Sequence, residues 1–493
     1  MGIIIRQSFR NLMFTYGGFA IGAFNTLVLL PRYFTREQIG LLNTFTSYSW
    51  ILATLVLFGM PLTVIRFYPL TKAEERYSLL KTSITFPLFL VFLIGLPFFL
   101  FPQAVHWFIP HVEPIFLKHY KWIYFMVLMH IIFEIIGSVL KAQLKTAVPV
   151  FWREFFLRVF NLLTYFLYGI GLFSFDVLVA LFAISSLVIA IGLFTHLQDK
   201  NWLRPEICFK RDWFQYGAYN LLGASLVFIV YQLDIVMLHR YGFLDMIAIY
   251  TISMFVATTV QLPFRSFSVV AVPLLSQAFA ENDLNKVKEL YRRSSEIMLV
   301  VGGALVLILY WIASDFMFLL PHDYRPHLIR PLSFLLLAKW LDVAMGLNGA
   351  IINQSRHFRF DLLANFLLLL AGLTLNIILI PKYGITGAAM ATCISILIYN
   401  VVRYAYIVFR FGIHGFSPRF FTIISFFVVV HFLLEQIPLT GNPIFLIGVK
   451  VLISVFLLYI SFRFSKISPE ISILLDLLEK KLRKITHSNR LIF

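Results

Sequence analysis

The chain has 493 residues, of which 60% are hydrophobic and only 13% are charged. Soluble globular domains carry about 25% charged residues, and a soluble chain this apolar would expose adhesive patches and aggregate. Its formal net charge is +17, but the basic residues lie in short segments between apolar runs, a pattern of membrane topology rather than of nucleic-acid binding.

Crossing a bilayer takes about 20 apolar residues, and fourteen runs approach or exceed that length. In chain order the predicted spans are 11–31, 39–63, 82–102, 122–142, 155–173, 176–197, 213–238, 245–272, 295–314, 328–352, 361–381, 384–408, 419–438 and 444–462. We therefore predict an all-α integral membrane protein with about fourteen transmembrane helices. The longest intervening segment, 273–294, is predicted to form an interfacial helix.

The distribution of basic residues predicts the orientation. Of the 41 Lys and Arg residues, 30 lie in segments and helix ends on one side of the predicted membrane and 8 on the other, while Arg265, Lys339 and Lys450 lie within spans. Because basic residues accumulate on the cytoplasmic side, both termini are predicted to be cytoplasmic. The tail after 465 has an apolar helical face followed by lysines, which favours an amphipathic helix on the inner leaflet.

Ionisable residues in or near the spans are the candidate functional residues, because each costs about 2.5–3.5 kcal/mol at a span centre. Arg66, Arg153 and Arg158 lie at the cytoplasmic ends of the second and fifth spans. A planar guanidinium offers paired hydrogen-bond donors that suit an anion with paired oxygen atoms. The alternative for each arginine is a purely topological role. Glu134 lies near the middle of the fourth span, where its alternative is burial in neutral form against a carbonyl or a serine.

Further along the chain, Asp234 lies toward the outer end of the seventh span. A functional role for Asp234 and a structural role, as the partner of His239 or Arg240, are equally open. Arg265 is embedded in the apolar eighth span. Lys339 and Asp342, three residues apart in the tenth span, share a helix face and can neutralise each other. They are predicted to line a cavity, with a self-contained ion pair as the alternative.

A faint internal repeat relates these positions. A shift of 208 residues places Arg32-Tyr33 on Arg240-Tyr241 and Ile39 on Ile247. Under this six-helix repeat the fourth and tenth spans are equivalent, so Glu134 and the Lys339–Asp342 pair would occupy similar depths. Such repeats are common in transporters whose site lies between the halves.

The segment 376–396, NIILIPKYGITGAAMATCISI, resembles a signature of the polysaccharide and lipid-linked oligosaccharide flippases. This Wzx-like family belongs to the multidrug/oligosaccharidyl-lipid/polysaccharide exporter superfamily. Three further stretches are similar to the family, at 29–45, 234–253 and 271–294. In the signature itself, Pro381 and Gly384 are typical of a turn, and the small residues after it favour close helix packing, so no substrate contact is assigned to them.

The resemblance implies a V-shaped molecule with two six-helix lobes and two additional helices. The implied divisions are an N-terminal lobe (1–198), a cytoplasmic linker (199–211), a C-terminal lobe (212–412), helices thirteen and fourteen (413–464) and an amphipathic tail (465–493). The implied function is translocation of a polyprenyl-pyrophosphate-linked oligosaccharide across a bacterial inner membrane by alternating access, for O-antigen, capsule or exopolysaccharide synthesis.

The resemblance implies a non-enzymatic transporter, expected to be a monomer among membrane lipids, with a polysaccharide polymerase and glycosyltransferases as partners and no nucleic acid. No cofactor or metal is expected, and the coupling ion, H⁺ or Na⁺, is open. The chain has no G-x-x-x-x-G-K-[ST] motif for ATP hydrolysis. The alternatives are a cation-coupled multidrug antiporter of the same fold, a lipid II flippase, and a membrane enzyme such as a sugar polymerase.

Overall fold

The structure, a computed structural model, describes residues 2–101, 105–106, 109–110, 112–197, 208–416, 418–436 and 441–465. Each of the fourteen predicted spans falls on a helix. In chain order the helices are α1 (2–33), α2 (Arg36–Leu57), α3 (Ala73–Leu100), α4 (Lys121–Ala142), α5 (147–169), α6 (Phe175–Phe194), α7 (Arg211–Arg240), α8 (Leu244–Ala280), α9 (Leu284–Phe316), α10 (325–354), α11 (359–383), α12 (385–411), α13 (Pro418–Glu435) and α14 (Pro443–Ser465). Most of the predicted linker and nearly all of the tail lie outside the described residues.

The prediction of an all-α integral membrane protein is confirmed. In the described part of the chain, ten helices are long and apolar enough to cross a membrane, or eleven when the two segments of α10, bent by 46°, form one span. Three features account for the difference from fourteen. Helices α11 and α12 are continuous through a kink and form one long helix, α5 carries Arg153, Glu154 and Arg158, and the described apolar part of α14 is only Phe445–Phe456.

The kink between α11 and α12 explains the glycines of the 376–396 segment. Gly384 has φ 56° and ψ −133°, a left-handed conformation that side chains with a Cβ disfavour. A Cβ at Gly387 would lie 2.2 Å from the carbonyl oxygen of Leu379, so only glycine permits this turn to close. The segment therefore has a structural role, as its composition predicts.

The prediction of a separate interfacial helix over 273–294 is wrong. Helix α8 continues to Ala280, and after a tight turn α9 begins at Leu284, with the Asp283 carboxylate accepting a hydrogen bond from the Lys286 backbone N–H at 2.9 Å. The 37 residues of α8 reach about 55 Å at 1.5 Å per residue, so this helix is longer than the hydrocarbon core of a bilayer. The polar segment is thus divided between two long helices.

The chain forms two compact units. Unit 1 comprises residues 1–252 and 365–391, and unit 2 comprises 253–364 and 392–493. The lobe boundaries given above remain a prediction. In unit 2, α13 packs on α9, where the ring of Phe427 lies against Gly303. Helix α14 also contacts α9, so both C-terminal helices are integral parts of this unit.

A buried ion pair fixes α14 to α9. Lys450 Nζ lies 2.5 Å from Asp315 and donates a hydrogen bond to the carbonyl oxygen of Trp311 at 3.2 Å. Their side chains are only 9% and 12% exposed. Removing one member of a buried pair commonly costs about 3–5 kcal/mol, because the other charge is left uncompensated.

We therefore expect Lys450→Met to lower the thermal unfolding midpoint of the detergent-purified protein strongly. The double change Lys450→Met with Asp315→Leu should restore most of the loss. Lys286→Met is the matched control, because its pair with Glu281 is exposed and such pairs contribute about 0–1 kcal/mol. A wild-type midpoint for Lys450→Met would contradict a stabilising role for the pair.

Candidate functional site

A network of alternating charges lies on α4 and α5 in unit 1. The Arg153 guanidinium donates a hydrogen bond to Glu134 at 2.9 Å, and its Nε lies 3.4 Å from a carboxylate oxygen of Glu154. The other oxygen of Glu154 lies 3.0 Å from Arg158. All four side chains are partly buried, with exposures between 16% and 35%. Three of the predicted site residues, Glu134, Arg153 and Arg158, are thus brought together.

The backbone of α5 places two of these charges on an irregular turn. Residues Phe151–Phe156 form a π-helical turn that includes Arg153 and Glu154. Helix α1 has a second π-helical turn at Asn25–Leu29, and the Asn25 side chain donates a hydrogen bond to the Arg158 carbonyl oxygen at 2.9 Å. π-Helical turns are rare and frequently occur at functional sites. Their pairing here indicates that α1 and α5 hold the charge network jointly.

Close approach of α1 to α5 depends on two glycines. A Cβ at Gly18 would lie 1.9 Å from the carbonyl oxygen of Glu154, and a Cβ at Gly22 would lie 3.1 Å from the Arg158 side chain. Small residues at such crossings allow helix backbones to approach within a membrane. Bulkier side chains at these positions would displace the α5 segment that carries the network.

An aromatic wall flanks the network. The Trp50 and His130 rings stack with centroids 4.2 Å apart, and the Arg153 guanidinium lies 5.3 Å from the Trp50 ring centroid. Beside them is a cavity of about 130 Å³, also lined by Asn161, Ser185 and Ser186. Within the described residues, buried His130 Nδ1 and Asn161 Oδ1 have no hydrogen-bond partner. The cavity has room for water molecules that would satisfy them.

Asp234 belongs to a second polar cluster in unit 1. Its side chain is buried, and it accepts hydrogen bonds from the Tyr250 hydroxyl and from the Asn376 side chain, the latter at 2.8 Å. Neither bond involves His239, whose ring nitrogens lie 3.3 Å from the Tyr48 hydroxyl and 3.1 Å from Glu113. A buried carboxylate beside neutral oxygen atoms is suited to a proton or a hard cation.

The Lys339–Asp342 region in unit 2 is richer in amides than the sequence suggests. Asp342 accepts hydrogen bonds from Gln261 at 2.9 Å and from Asn400 at 3.2 Å. Asn348 in turn donates to Asn400 at 2.7 Å. Lys339, one turn before Asp342, is fully buried. Neutral amides carry no charge signal in a sequence, which is why this network was not predicted.

Two further predicted arginines are exposed in the structure. Arg66, on the short helix Met60–Phe67 of unit 1, lies 4.3 Å from the Tyr216 ring centroid, a cation–π contact. Arg265 is exposed on α8 in unit 2. An exposed arginine within a spanning helix faces water, a headgroup or a ligand in preference to hydrocarbon.

Replacing Asp342 by alanine removes the acceptor that Gln261 and Asn400 share. Leaving buried donors unsatisfied costs about 1–3 kcal/mol for each group, so Asp342→Ala should reduce the amount of folded protein. If Lys339 and Asp342 interact, the double change Lys339→Ala with Asp342→Ala should be milder than the single change. Membrane protein level and thermal midpoint are the measurements. A double variant with normal stability and normal transport would show that the pair is dispensable packing.

The fold is shared with known membrane transporters. A structure of the lipid II flippase MurJ in an inward closed conformation matches with a TM-score of 0.74 and 16% identity, covering 92% of this chain and 98% of that one. An inward-facing multidrug resistance MATE family transporter of the MOP superfamily matches at 0.64 with 13% identity, covering 83% and 98%. An outward-facing MATE structure matches at 0.56 with 13% identity, covering 83% and 95%.

These similarities establish the fold, a helical membrane fold of the MurJ and MATE type, which comprises 12–14 helices in two lobes. No protein-family model and no curated protein sequence matches the chain. At identities of 13–16% the substrate does not follow from the fold.

Proposed function

We propose that this chain is a flippase that translocates a polyprenyl-pyrophosphate-linked oligosaccharide by alternating access. The observation that carries the proposal is the Arg153–Arg158 network in a helix of a MurJ-type fold. The guanidinium groups of Arg153 and Arg158 lie within about one and a half helical turns, and each forms an ion pair with a glutamate carboxylate. Like those carboxylates, a pyrophosphate offers pairs of oxygen atoms that accept bidentate hydrogen bonds from a guanidinium, so it could exchange with them.

The carboxylates give the network a resting state. With no substrate, Glu134 and Glu154 compensate the arginines, so the cationic groups are not left uncompensated in a low-dielectric region. When a pyrophosphate binds, Arg153 and Arg158 can transfer hydrogen bonds to it, and the carboxylates are released to water or protons. Arg66, exposed in the same unit, is proposed to attract the anionic headgroup before it reaches the network, and exposed Arg265 in unit 2 is proposed as a separate headgroup contact.

The Asp234 cluster is proposed to bind the coupling ion. The carboxylate is buried among Tyr250 and Asn376, and the Asn376 Oδ1 atom has no hydrogen-bond partner among the described residues. A proton or Na⁺ would neutralise Asp234 and lower the cost of its burial. The Asp342 network is a second candidate for ion or headgroup contact, with Lys339 beside it.

The decisive experiment uses proteoliposomes that contain the purified full-length chain and a fluorescent polyprenyl-pyrophosphate oligosaccharide. Translocation is measured as protection of the sugar from an external modifying enzyme. We expect protein-dependent translocation with the pyrophosphate substrate and much less with the same oligosaccharide on a neutral polyprenol. Equal rates for both lipids, or none for either, would contradict the proposal.

Two other functions are tested in the same vesicles. The MurJ similarity favours lipid II as a second substrate candidate, and preferential translocation of lipid II over the oligosaccharide lipid would support it. The MATE similarity favours a cation-coupled multidrug antiporter. Efflux of a cationic dye without lipid translocation would establish that function instead.

We propose that the protein resides in the bacterial inner membrane with both termini in the cytoplasm. A reporter enzyme active only outside the cytoplasm, fused after Phe493, should therefore be inactive, whereas the same reporter inserted in the 3–4 loop near Pro114 should be active. Activity of the C-terminal fusion would contradict a cytoplasmic C-terminus, and with it either the orientation or the even number of spans.

We further propose that the chain works as a monomer in this membrane, with glycosyltransferases supplying its substrate and a polymerase consuming it.

A further inference from the structure

An apolar cavity lies in unit 1 between α2, α3 and the start of α4, and none of the residues of the charge network lines it. Its volume is about 350 Å³, within the range of small-molecule pockets. The deep wall consists of buried side chains, including Val56, Val91 and Val127. At the open side, Leu52, Ile94 and Phe99 are 39%, 49% and 36% exposed.

The cavity wall is a built structure. The segment Pro114–His119 supplies Phe116, which is fully packed between Phe45 and the His239 ring. His239 contacts Glu113 just before this segment, and His119 at its end contacts Asp176 at 2.8 Å. Tyr48, another lining residue, lies within hydrogen-bond distance of His239. Polar contacts at both ends of the segment thus hold an apolar wall in place.

The mouth of the cavity carries a cation. Exposed Lys121, a lining residue at the first position of α4, has its Nζ 5.0 Å from the Phe99 ring centroid. The remaining lining atoms are almost entirely apolar. An apolar space among helices long enough to cross a membrane, with one lysine at its rim, suits a molecule that joins a hydrocarbon chain to a phosphate.

We propose that this cavity binds one acyl chain of a membrane phospholipid, with Lys121 contacting the lipid phosphate. The occupant is a phospholipid because the exposed side chains at the open side are apolar, as an acyl chain requires, and because the Lys121 charge complements an anionic headgroup. Binding would not require translocation, so the site is independent of the cargo proposed above.

The test uses the purified full-length protein in detergent and a phosphatidylglycerol that carries a photoreactive diazirine in one acyl chain. We expect saturable labelling of residues 48–56, 91–99 and 120–127, mapped by mass spectrometry. Leu52→Trp fills the mouth and should abolish the saturable labelling. Leu93→Trp is the matched control, because Leu93 is 59% exposed on α3 and is not a lining residue.

The rim charge is tested separately. Lys121→Gln should raise the half-saturating lipid concentration about fivefold, as expected for the loss of roughly one lysine–phosphate attraction. Lys118→Gln should leave it unchanged, because Lys118 is paired with Asp176. If Leu52→Trp does not fold, competition of the wild-type labelling by unlabelled phosphatidylglycerol provides the same measurement.

Three outcomes would overturn the proposal. Labelling could spread evenly over all lipid-exposed faces without saturation. It could be equally strong with a diacylglycerol probe that lacks the phosphate. A polyprenyl phosphate could displace the probe at lower concentration than phosphatidylglycerol does, which would assign the site to a different lipid.

Discussion

Replacing Arg153 by lysine should reduce translocation about 10- to 100-fold while leaving the protein level in the membrane unchanged. Arg153 contacts Glu134 through one nitrogen and Glu154 through another, a fork that a single ammonium cannot reproduce. A hydrogen bond to a charged group contributes about 1.5–3 kcal/mol, and each 1.36 kcal/mol changes a rate about tenfold. The charge is retained, so a purely topological arginine would tolerate this change.

The control for Arg153→Lys is Arg293→Lys. Arg293 also pairs with a glutamate, but both side chains are 56% exposed on α9. That variant should translocate at the wild-type rate. Glu134→Gln tests the network from the other side, since it keeps the shape and removes the charge that compensates Arg153. Normal translocation by both Arg153→Lys and Glu134→Gln would show that the network is structural, and the pyrophosphate interpretation would be wrong.

Changing Asp234 to asparagine should abolish the dependence of translocation on an ion gradient. The carboxylate is buried, and it accepts hydrogen bonds from Tyr250 and Asn376. Asparagine preserves the size and can still accept a hydrogen bond, but it cannot take up a proton or balance a cation. Vesicles with wild-type protein should translocate faster under an imposed H⁺ or Na⁺ gradient, and vesicles with Asp234→Asn should show one slow rate in both conditions.

Asp245→Asn is the matched control for Asp234→Asn. Asp245 begins α8 in the same unit and lies 3.4 Å from Arg36, with partial exposure of both side chains, so its loss should cost at most about 1 kcal/mol. This variant should retain the gradient stimulation. The coupling proposal would fail if Asp234→Asn kept the stimulation, or if the wild-type protein showed none with either ion.

The sequence by itself determined the class of fold and the position of the helices. A run of about 20 apolar residues has one stable solution in a bilayer, because every backbone N–H and C=O must find a partner within the segment. All fourteen predicted spans accordingly fall on helices. Charge in a span is also visible in a sequence, and it alone identifies Glu134, Asp234 and Asp342 as candidate functional residues.

Only the tertiary structure decided which of these charges meet. Glu134 pairs with Arg153 on the next helix, Asp234 lies with Tyr250 and Asn376, and Asp342 lies among amides from α8 and α12. The rotation of each helix about its axis and its register against its neighbours determine these partners. Because the spans are uniformly apolar, the hydrophobic periodicity that would predict the rotation is weak. Neutral amides, tyrosines and π-helical turns give no hydropathy signal, so the groups around each charge became identifiable only once the helices had packed.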